Sequence, residues 1–386
     1  MKIAVIHSIY QPYTRGGAEV MVSNVVSGLK SRGHEVLVIT VGYENKMEVI
    51  NGIKVYRIKP FNLFNFLDIN NQPAWKRLFW HLLDMFNDVQ TWRIYKVLLA
   101  EKPELVLTHN LKGLGYQVPP LLKLLKIRHI HTVHDMQLIH PSGLITDDPK
   151  FKLNLFVRLY TRFCRELFNN PDVVVFPSDY IRLVYRRYKL FTKAKMAILG
   201  NPLLIKPRKV KTTAKSRIFT LVFIGQLELY KGIIDLIKAA NRLTGDWQLL
   251  VAGDGKAEKE ARRVAIDSPR IKFLGRLSQD ELEQKIWSEA DVLVNPSRTA
   301  ESFGMVVIES YAHGVPVIAS KIGALPELVK DGLTGWLVKP GNPDDLKRQL
   351  EFIIDNRDHL TPLTDKCLAE AEKYTIDSYL NRLLEL

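Results

Sequence analysis

The sequence predicts an α/β protein with two domains, each organised around a parallel β-sheet. Short apolar runs of strand length alternate with helical patterns along most of the chain, which is typical of strand–helix–strand units. The 386 residues are many for one domain and comfortable for two. Residues 206–217 are rich in Lys and Thr and contain no large apolar side chain except Val210, so we interpret them as a linker.

In the first half, an apolar strand over residues 2–7 leads through a loop into a helix predicted over 18–31. Gly16 and Gly17 stand directly before this helix, where their backbone amides could approach a phosphate. Such a pair is also common in any tight strand-to-helix turn. Further strands are predicted over 35–40, 52–58, 105–108, 127–133 and 172–176.

The segment from residue 61 to residue 99 is rich in Phe, Trp, Leu and Met. Several of these residues recur at helical spacing: Trp75, Leu78, Phe79, Leu82 and Leu83. This spacing favours a helix that packs into the core through these side chains. An amphipathic helix that lies on a membrane surface is the alternative.

The predicted strand over 127–133 delivers a polar cluster at its carboxyl end, with His131, His134 and Asp135. No neighbouring residue completes the ligand spacing of a zinc site. Ligands of open α/β sheets gather at the carboxyl ends of strands. The cluster is therefore either a packed polar strand end or part of a ligand site.

The second half repeats the α/β pattern, with strands predicted over 219–225, 248–253, 271–274 and 291–294. Lys231 and Gly232 come directly before a helix predicted over 233–241. An ammonium group beside free backbone amides could hold a phosphate there. An exposed Lys without a ligand is the alternative.

The stretch over 291–320 contains a strand, a loop, a helix predicted over 303–313 and a second strand over 315–319. Glu301 lies in the loop and Glu309 lies two turns into the helix, among apolar residues. An unpaired buried carboxylate is costly. The two acids are either satisfied by a neighbouring Arg or backbone amide, or they bind the hydroxyls of one polyol beside a helix N-terminus that favours a phosphate.

The residues Glu301-Ser-Phe-Gly-Met-Val-Val-Ile-Glu309, followed by Gly-Val-Pro-Val-Ile-Ala-Ser, resemble the signature of the retaining family-4 glycosyltransferases of the GT-B fold. That signature has two glutamates separated by seven residues, with Phe-Gly after the first. The segments GGAEVMVSNVVSGLKSRGHEVLVIT and HTVHD are similar to other parts of the family. The resemblance covers nearly the whole chain and is strongest over 219–350.

The resemblance implies two Rossmann-like domains that face each other across a cleft. The acceptor-binding domain would span 1–200 and the nucleotide-sugar-binding domain 201–370, with a helix within 371–386 that packs back on the first domain. The resemblance also implies that Glu309 accepts the ribose hydroxyls, that Glu301 binds hydroxyls of the transferred sugar, and that Lys231 stabilises the leaving diphosphate. Other donor contacts would come from Gly16, Gly17, Phe303, Gly304, Met305 and His134, with His131 as the alternative histidine.

The chain departs from the family pattern at Gln226, where the family has an Arg that holds the diphosphate. Gln can donate a hydrogen bond to a phosphate but brings no charge. Arg298 could supply the missing cation, and an exposed Arg without this role is the alternative. No Asp-x-Asp sequence is present to carry a metal, so we expect no metal and no cofactor beyond the nucleotide-diphosphate sugar itself.

The formal charge is +14, and it is unevenly distributed. No acidic residue lies between Asp179 and Glu228, whereas twelve Lys and Arg do. Such a run allows nucleic acid, an anionic membrane, an anionic substrate, or a solvated surface with no partner. With the resemblance, we expect a UDP- or GDP-sugar donor, a glycan or lipid-linked acceptor, contact with an anionic membrane, and no nucleic acid.

Two cysteines, Cys164 and Cys367, cannot form a disulfide framework, which fits a reducing compartment. The first apolar run is too short for a secretion signal, and no run reaches the roughly 18 apolar residues of a membrane helix. We therefore expect a cytoplasmic protein that associates peripherally with the inner face of the membrane.

Two rival functions share parts of this pattern. A nicotinamide oxidoreductase would have the same doubled α/β arrangement, but Gly253 and Gly255 are not followed by the third glycine of the dinucleotide fingerprint. A basic binding protein without catalysis would explain the charge and would leave the two glutamates without a purpose. The sequence therefore predicts a retaining hexosyltransferase of polysaccharide or glycolipid biosynthesis.

Overall fold

The computed structural model describes residues 1–14, 16–141, 143, 155–203, 205–208, 218–265 and 268–386. Contacts among these residues divide the chain into two units. The first comprises Met1–Pro202 together with Tyr379–Leu386, and the second comprises Leu203–Ser378. Most of the predicted linker lies outside the described residues, since 209–217 are not among them.

The first unit contains one sheet of eight strands in the order β3-β4-β2-β1-β5-β6-β7-β8. The strands are β1 Lys2–Ile6, β2 Glu35–Val41, β3 Lys46–Ile50, β4 Ile53–Ile58, β5 Leu105–Thr108, β6 Arg128–Thr132, β7 Val173–Phe176 and β8 Lys195–Ile198. Neighbours in this sheet pair in parallel except β3 and β4, which form a hairpin through Asn51 and Gly52. The sequence analysis did not predict β3, because this edge strand has exposed and half-buried side chains and therefore no apolar run.

Helices cover both faces of this sheet, which is why β1, β2, β5 and β7 consist almost entirely of buried apolar side chains. The helices are α1 Gly17–Ser31, α2 Ala74–Met85, α3 Asp88–Glu101, α4 Val118–Leu124, α5 Leu155–Phe168 and α6 Asp179–Arg187, with a 3₁₀ turn over Phe66–Asn71. Connections between parallel strands are right-handed, so the face on which a connecting helix lies depends on the direction in which the chain crosses the sheet. Helix α1 connects β1 to β2 and lies on one face. The chain later moves the other way, from β4 through β5 to β8, so α2 to α6 lie on the opposite face.

Helix α2 forms as predicted but packs through a different side. The prediction that its apolar stripe enters the core is wrong, because five residues are 38–62% exposed: Trp75, Leu78, Phe79, Leu82 and Leu83. The fully buried side chain is Trp80, which stacks on Phe64 and Phe66 at centroid distances of 5.9 and 5.6 Å. Its Nε1 donates to the Phe64 carbonyl at 2.8 Å. One large ring thus fills the space under α2, and the more apolar side of the helix faces outward.

The second unit contains a six-stranded sheet in the order β11-β10-β9-β12-β13-β14, in which every pair is parallel. The strands are β9 Phe219–Ile224, β10 Trp247–Ala252, β11 Ile271–Gly275, β12 Val292–Asn295, β13 Val317–Ser320 and β14 Gly335–Val338. The chain passes from β9 outward to β11 and then returns to β12 on the other side of β9. This reversal places the carboxyl ends of β9 and β12 at a switch point, where ligands of such sheets bind.

The helices of the second unit are α7 Ile233–Ala240, α8 Glu258–Val264, α9 Gln279–Leu282, α10 Met305–Ala312, α11 Leu325–Leu328, α12 Pro343–Asp355 and α13 Thr361–Ala371. A π-helical turn over Glu283–Trp287 and three 3₁₀ turns, Leu229–Lys231, Arg357–Leu360 and Glu372–Tyr374, accompany them. Helix α10 starts two residues later than the predicted start at 303, since the backbone of Gly304 has a φ of +117° and lies outside the helical region. The two parallel sheets confirm the predicted α/β class with two Rossmann-like domains.

The last helix, α14 Ile376–Leu384, brings residues 379–386 into the first unit. Arg32 on α1 donates to the Asn381 side chain at 2.8 Å, and Arg382 donates to the carbonyl of Ile198 at 3.0 Å. Tyr379 is 3% exposed and belongs to the same unit. Among the described residues, no helix is both long and apolar enough to cross a membrane.

Candidate active site

The loop that joins β12 to α10 carries Glu301, and glycines of two other elements hold its backbone in place. A Cβ atom on Gly232 would lie 2.0 Å from the carbonyl oxygen of Pro296. A Cβ atom on Gly323 would lie 2.6 Å from the backbone nitrogen of Glu301. Both glycines also have positive φ, +74° and +60°, which other residues rarely adopt. The position of Glu301 is therefore determined by close backbone contact on both sides of the loop.

Glu301 is the centre of a small polar network. Its Oε1 accepts from Lys231 Nζ at 2.9 Å and from Ser297 Oγ at 2.5 Å, and Ser297 Oγ also lies 3.2 Å from Asn295 Oδ1. Burial by itself would raise the pKa of Glu301, but Lys231 and the hydrogen bonds of this network hold that pKa below its usual value. Glu301 is therefore ionised at neutral pH, and it forms an ion pair with Lys231 at the carboxyl ends of β9 and β12.

Glu309 lies in the second turn of α10 and has the opposite electrostatic character. Its side chain is half-buried, and none of the residues that the structure describes gives its carboxylate a hydrogen bond. Burial raises its pKa to about 7. An ionised carboxylate in such a place costs free energy unless it has a hydrogen-bond partner. The two oxygens of Glu309 can accept hydrogen bonds from a ligand.

Arg298 and Gln226 have separate partners. Arg298 forms a two-pronged ion pair with Asp235 in the first turn of α7, with Nε–Oδ2 and Nη2–Oδ1 distances of 2.6 and 2.5 Å. This hydrogen bonding raises the pKa of Arg298. Gln226 is exposed, and its Oε1 accepts from the hydroxyl of Tyr230 at 3.1 Å. Arg298 could therefore bind a diphosphate only if its guanidinium group left Asp235 or contacted Asp235 and the phosphate together.

Phe303, Gly304 and Met305 form the entry into α10. Phe303 is 3% exposed, and its ring meets the ring of Tyr374 edge-on at 5.7 Å. Gly304 is the residue before the first helical turn, and Met305 is the first helical residue. The Phe303 side chain anchors the loop in the core, so contacts of this segment with a ligand would be made by its backbone.

In the first unit, Gly16 and Gly17 lie at the start of α1, which begins one residue earlier than predicted. Gly16 is the N-cap, and its backbone nitrogen donates to Glu19 Oε2 at 2.7 Å. Glu19 is 8% exposed, and its Oε1 lies 4.0 Å from His7 Nε2. A phosphate at this helix start would thus have to compete with the carboxylate of Glu19 for the Gly16 amide.

His134 and His131 occupy different positions at the end of β6. His134 lies just beyond the strand, and its Nε2 is 2.9 Å from Nδ1 of His109. His131 lies within β6, and its Nδ1 is 2.8 Å from the hydroxyl of Thr108. The ring of His131 packs against Phe168 and Phe191 at 5.4 and 5.6 Å. His131 is therefore part of the core, whereas His134 belongs to the carboxyl edge of the sheet.

Sequence reasoning missed two histidines that accompany His134. His7 follows β1, His109 follows β5 and His134 follows β6, and these three strands are adjacent in the sheet. The ring of His7 lies 5.8 Å from His109 and 6.1 Å from His134. Burial, with a smaller effect of His134, lowers the pKa of His7 to about 3, and burial lowers that of His134 to about 4. The available signal was a histidine one or two residues after the end of each of three strands that are adjacent in the sheet.

Within the described part of the chain, no group of three or more His, Cys, Asp or Glu side chains is arranged to hold a metal ion. The histidines at the carboxyl edge are neutral, so they can donate or accept hydrogen bonds but do not supply positive charge. Cys164 and Cys367 are buried thiols. In the second unit, the site can bind hydroxyls through two carboxylates and an anion through Lys231.

Two family models match consecutive parts of the chain. The model of the glycosyltransferase family 4 matches residues 15–203, and the model of the glycosyl transferases group 1 matches residues 206–373. This chain is a glycosyltransferase. The glutamate pair, Lys231 and the loop before α10 all lie in the part of the glycosyltransferase that the group 1 model matches.

Relatives and solved structures match most or all of the glycosyltransferase. A 42.6 kDa protein in the cps region of Klebsiella pneumoniae is 28% identical over 85% of this chain and 87% of its own length. An uncharacterized glycosyltransferase of Methanocaldococcus jannaschii is 26% identical over 92% of this chain and 90% of its own. The structure of Anabaena HepE in complex with UDP has a TM-score of 0.74 and 19% identity, and it covers 100% of this chain and 99% of that one. This last likeness shows that the glycosyltransferase has the GT-B fold.

Proposed function

We propose that this glycosyltransferase moves a hexose from a UDP- or GDP-sugar to a glycan or lipid-linked acceptor, with retention of the anomeric configuration, in polysaccharide or glycolipid biosynthesis. The reaction would take place at the carboxyl ends of β9 and β12. Glu301, Lys231 and His134 would be the catalytic residues, and Glu309 would bind the nucleotide.

The observation that carries this proposal is the state of Glu309. A half-buried carboxyl group without a hydrogen bond from any described residue, and with a pKa near 7, is costly unless a ligand satisfies it. The two hydroxyls of a ribose can donate to both oxygens of one carboxylate. HepE, which has the same fold, was solved with UDP, so a nucleotide that carries a ribose is known for that protein.

The ion pair of Lys231 and Glu301 supplies the rest of the donor chemistry. Lys231 would move from Glu301 to the diphosphate and stabilise the charge that develops as this group leaves. Glu301, ionised in the network with Ser297, would then accept hydrogen bonds from hydroxyls of the transferred sugar. The exchange gives Lys231 the diphosphate and Glu301 the sugar hydroxyls, so neither group is left without a partner.

The chemical step needs no covalent enzyme intermediate. The acceptor oxygen would form the new bond to the anomeric carbon on the same side from which the diphosphate departs. The bond between that carbon and the phosphate oxygen breaks with its electron pair remaining on the diphosphate, and the acceptor proton moves to a phosphate oxygen. His134, with its neutral ring held by His109, would hydrogen-bond to the donor sugar without adding charge.

Lys231, helix termini and, in a second arrangement, Arg298 would take the place of a metal ion at the diphosphate. The basic stretch over 182–217 would draw the protein to anionic lipid, at about 1 kcal/mol for each cation near the surface. Two of its described members have other partners, since Arg182 pairs with Asp179 and Arg208 pairs with Glu283. The attraction would therefore rest on the remaining cations, of which those over 209–217 lie outside the described residues.

A donor-hydrolysis screen tests the proposal directly. The wild-type protein is incubated with a panel of UDP-, GDP- and ADP-sugars, and release of the nucleotide is measured with Glu309→Gln as the matched control. We expect one donor to be hydrolysed by the wild type and to bind much more weakly to the variant. If the variant hydrolysed the donor with the wild-type rate and affinity, Glu309 would not be part of the donor site. Retention of the anomeric configuration would be read from the anomeric signal of the product.

A second experiment distinguishes the rival functions. Quenching of the intrinsic tryptophan fluorescence is titrated with UDP, GDP and NAD. Binding of NAD with no response to UDP or GDP would contradict a nucleotide-sugar site. Absence of binding to all three would also contradict a nucleotide-sugar site and would favour a basic binding protein without catalysis.

A further inference from the structure

A band of exposed apolar side chains covers one part of the first unit, and the proposed donor site uses none of it. We call this band the aromatic face. It spans the loop after β4, the outer side of α2 and the first half of α3. Its members are each 38–67% exposed: Phe61, Leu63, Trp75, Leu78, Phe79, Leu82, Leu83, Phe86, Val89 and Trp92.

The helical part of the aromatic face follows from the packing of α2. Residues three and four apart lie on the same side of a helix, so Trp75, Phe79 and Leu82 share one side. Trp80, Asp84 and Met85 occupy the inner side and are at most 5% exposed. The face is therefore a defined surface of a packed helix and does not result from an unpacked segment.

A groove joins the three parts of the aromatic face. It encloses about 430 Å³ and is lined by Phe61, Leu63, Leu83, Phe86 and Val89 together with Asn62, Asn87 and Asp88. Phe86 continues the apolar surface toward α5, since its ring lies 4.5 Å from the ring of Phe163. A connected apolar surface of this kind marks a place where a partner binds.

Cations border the aromatic face. Lys96 Nζ lies 3.5 Å from the ring centroid of Trp92, and Lys76 Nζ lies 5.6 Å from that of Trp75. Arg77 is exposed on α2. Three acids lie in the same segment: Asp84 is buried, Asp68 accepts from Tyr43, and Asp88 is exposed in the groove and accepts from Gln117 Nε2 at 3.1 Å.

We propose that the aromatic face docks this protein onto an anionic bilayer. Trp and Phe rings enter the boundary between headgroups and acyl chains, and the bordering cations meet the lipid phosphates. A second copy of the chain fits less well, because the same cations would face each other across a symmetric contact. The proposal rests on the proposed function in one respect: a lipid-linked acceptor would be met at such a surface.

The experiment measures binding of the full chain to vesicles of phosphatidylcholine alone and of phosphatidylcholine with phosphatidylglycerol. We expect binding to the anionic vesicles that weakens with salt. Trp75→Ala/Phe79→Ala should lower the partition coefficient by about tenfold or more, since two large apolar side chains no longer enter the lipid. Lys76→Glu/Arg77→Glu should lower it as well.

The matched control is Met47→Ser/Val49→Ser on β3. These two residues of the same unit are 52% and 62% exposed and lie outside the aromatic face. The control should bind vesicles like the wild type, and thermal unfolding of all variants shows that each is folded. Equal binding of Trp75→Ala/Phe79→Ala and the wild type would overturn the proposal.

A second readout follows the indole rings themselves. Lipids with brominated acyl chains should quench the wild-type fluorescence, and Trp75→Phe/Trp92→Phe should lose most of this quenching. A dimer in sedimentation experiments that Trp75→Ala/Phe79→Ala dissociates would assign the face to self-association and overturn the proposal. UDP binding in solution is measured separately, so failure of the donor site and failure of the docking surface are distinguishable.

Discussion

Lys231 Nζ and Glu301 Oε1 lie 2.9 Å apart, although 70 residues separate them in the sequence. The pair links the turn after β9 to the loop after β12. In the proposed reaction, the ammonium group binds the diphosphate and the carboxylate binds the sugar. The pair therefore keeps both groups charged and close together, and donor binding would exchange partners without the cost of desolvating two isolated ions.

The two glutamates should fail in different ways when they are truncated. Glu309→Ala should weaken UDP or GDP binding by about 1.5–3 kcal/mol, which is the usual loss for a charge-assisted hydrogen bond. Glu301→Ala should retain nucleotide binding and lose turnover, since Glu301 contacts the sugar in the proposal. Calorimetric titration with the nucleotide and a donor-hydrolysis assay measure the two effects. Equal nucleotide affinity for the wild type and Glu309→Ala would contradict the assignment.

The raised pKa of Glu309 predicts that nucleotide affinity depends on pH. Burial raises this pKa to about 7, and the carboxylate is the form that accepts two ribose hydroxyls. Affinity should therefore rise as the pH passes upward through about 7, by at most about tenfold per pH unit below that value. Titrations of the wild type and Glu309→Gln over this interval provide the check, and the variant should show no such rise.

The same pKa predicts a trend in stability. The folded pKa of Glu309 lies above its ordinary value, so the folded state binds the proton more tightly than the unfolded state. The carboxyl group therefore destabilises the fold increasingly as the pH rises from about 4.5 to about 7. The melting temperature of Glu309→Gln relative to the wild type should increase over this range. A constant difference would show that the Glu309 carboxyl group is solvated in the folded protein.

Transferase activity should survive treatment with EDTA. The chain has no Asp-x-Asp, and the expected counter-charge for the diphosphate comes from Lys231 and helix termini. Product formation is measured before and after chelation, with Lys231→Met as a variant in which the counter-charge is lost. Complete loss of product formation with EDTA and its recovery with Mg²⁺ or Mn²⁺ would show that a metal ion binds the diphosphate during the reaction.

The bond between Arg298 and Asp235 separates two roles of the arginine. Asp235 is 2% exposed, so Arg298→Ala leaves a buried carboxylate without its partner and should cost about 1–3 kcal/mol of folding stability. Arg298→Ala/Asp235→Ala should recover much of this loss. Denaturant unfolding of the wild type, Arg298→Ala, Asp235→Ala and the double variant gives the coupling energy.

A separate measurement addresses the absent family arginine. If Arg298 substitutes for it, Arg298→Ala weakens UDP or GDP binding and Gln226→Arg restores much of what is lost. The double-mutant cycle is measured by nucleotide titration. Strictly additive effects would mean that Arg298 serves Asp235 alone.

The fold class was predictable because strands of a parallel sheet are buried on both faces and are therefore continuous apolar runs. The strand Val292–Asn295 was located from such a run, and the helix after it from its apolar residues and from Gly314 beyond its end. The packing side of α2 was not predictable in the same way. The more apolar side of α2 suggested that this side packs into the core. In the structure, the ring of Trp80 fills the space under the helix by stacking on Phe64 and Phe66, which precede α2 in the sequence, so the pattern within α2 alone does not identify the packing side.

The same limit applies to the candidate site. The spacing of Glu301 and Glu309 indicated two carboxylates on one loop and helix, and a local pattern is sufficient for that. The partner of Arg298 lies 63 residues earlier in the sequence, on α7, and no local pattern identifies it. His7 and His109 come together only because β1, β5 and β6 are neighbours in the sheet, which requires the strand order as well as the strands.

The return of α14 to the first unit has a consequence for synthesis of the protein. Asn381 and Arg382 bind α1 and β8, yet the ribosome adds them only after the whole of the second unit. The first unit therefore cannot complete its contacts when its own strands have been made, and it must wait until the second unit has been synthesised. Deletion of residues 379–386 would accordingly harm the unit that is made first.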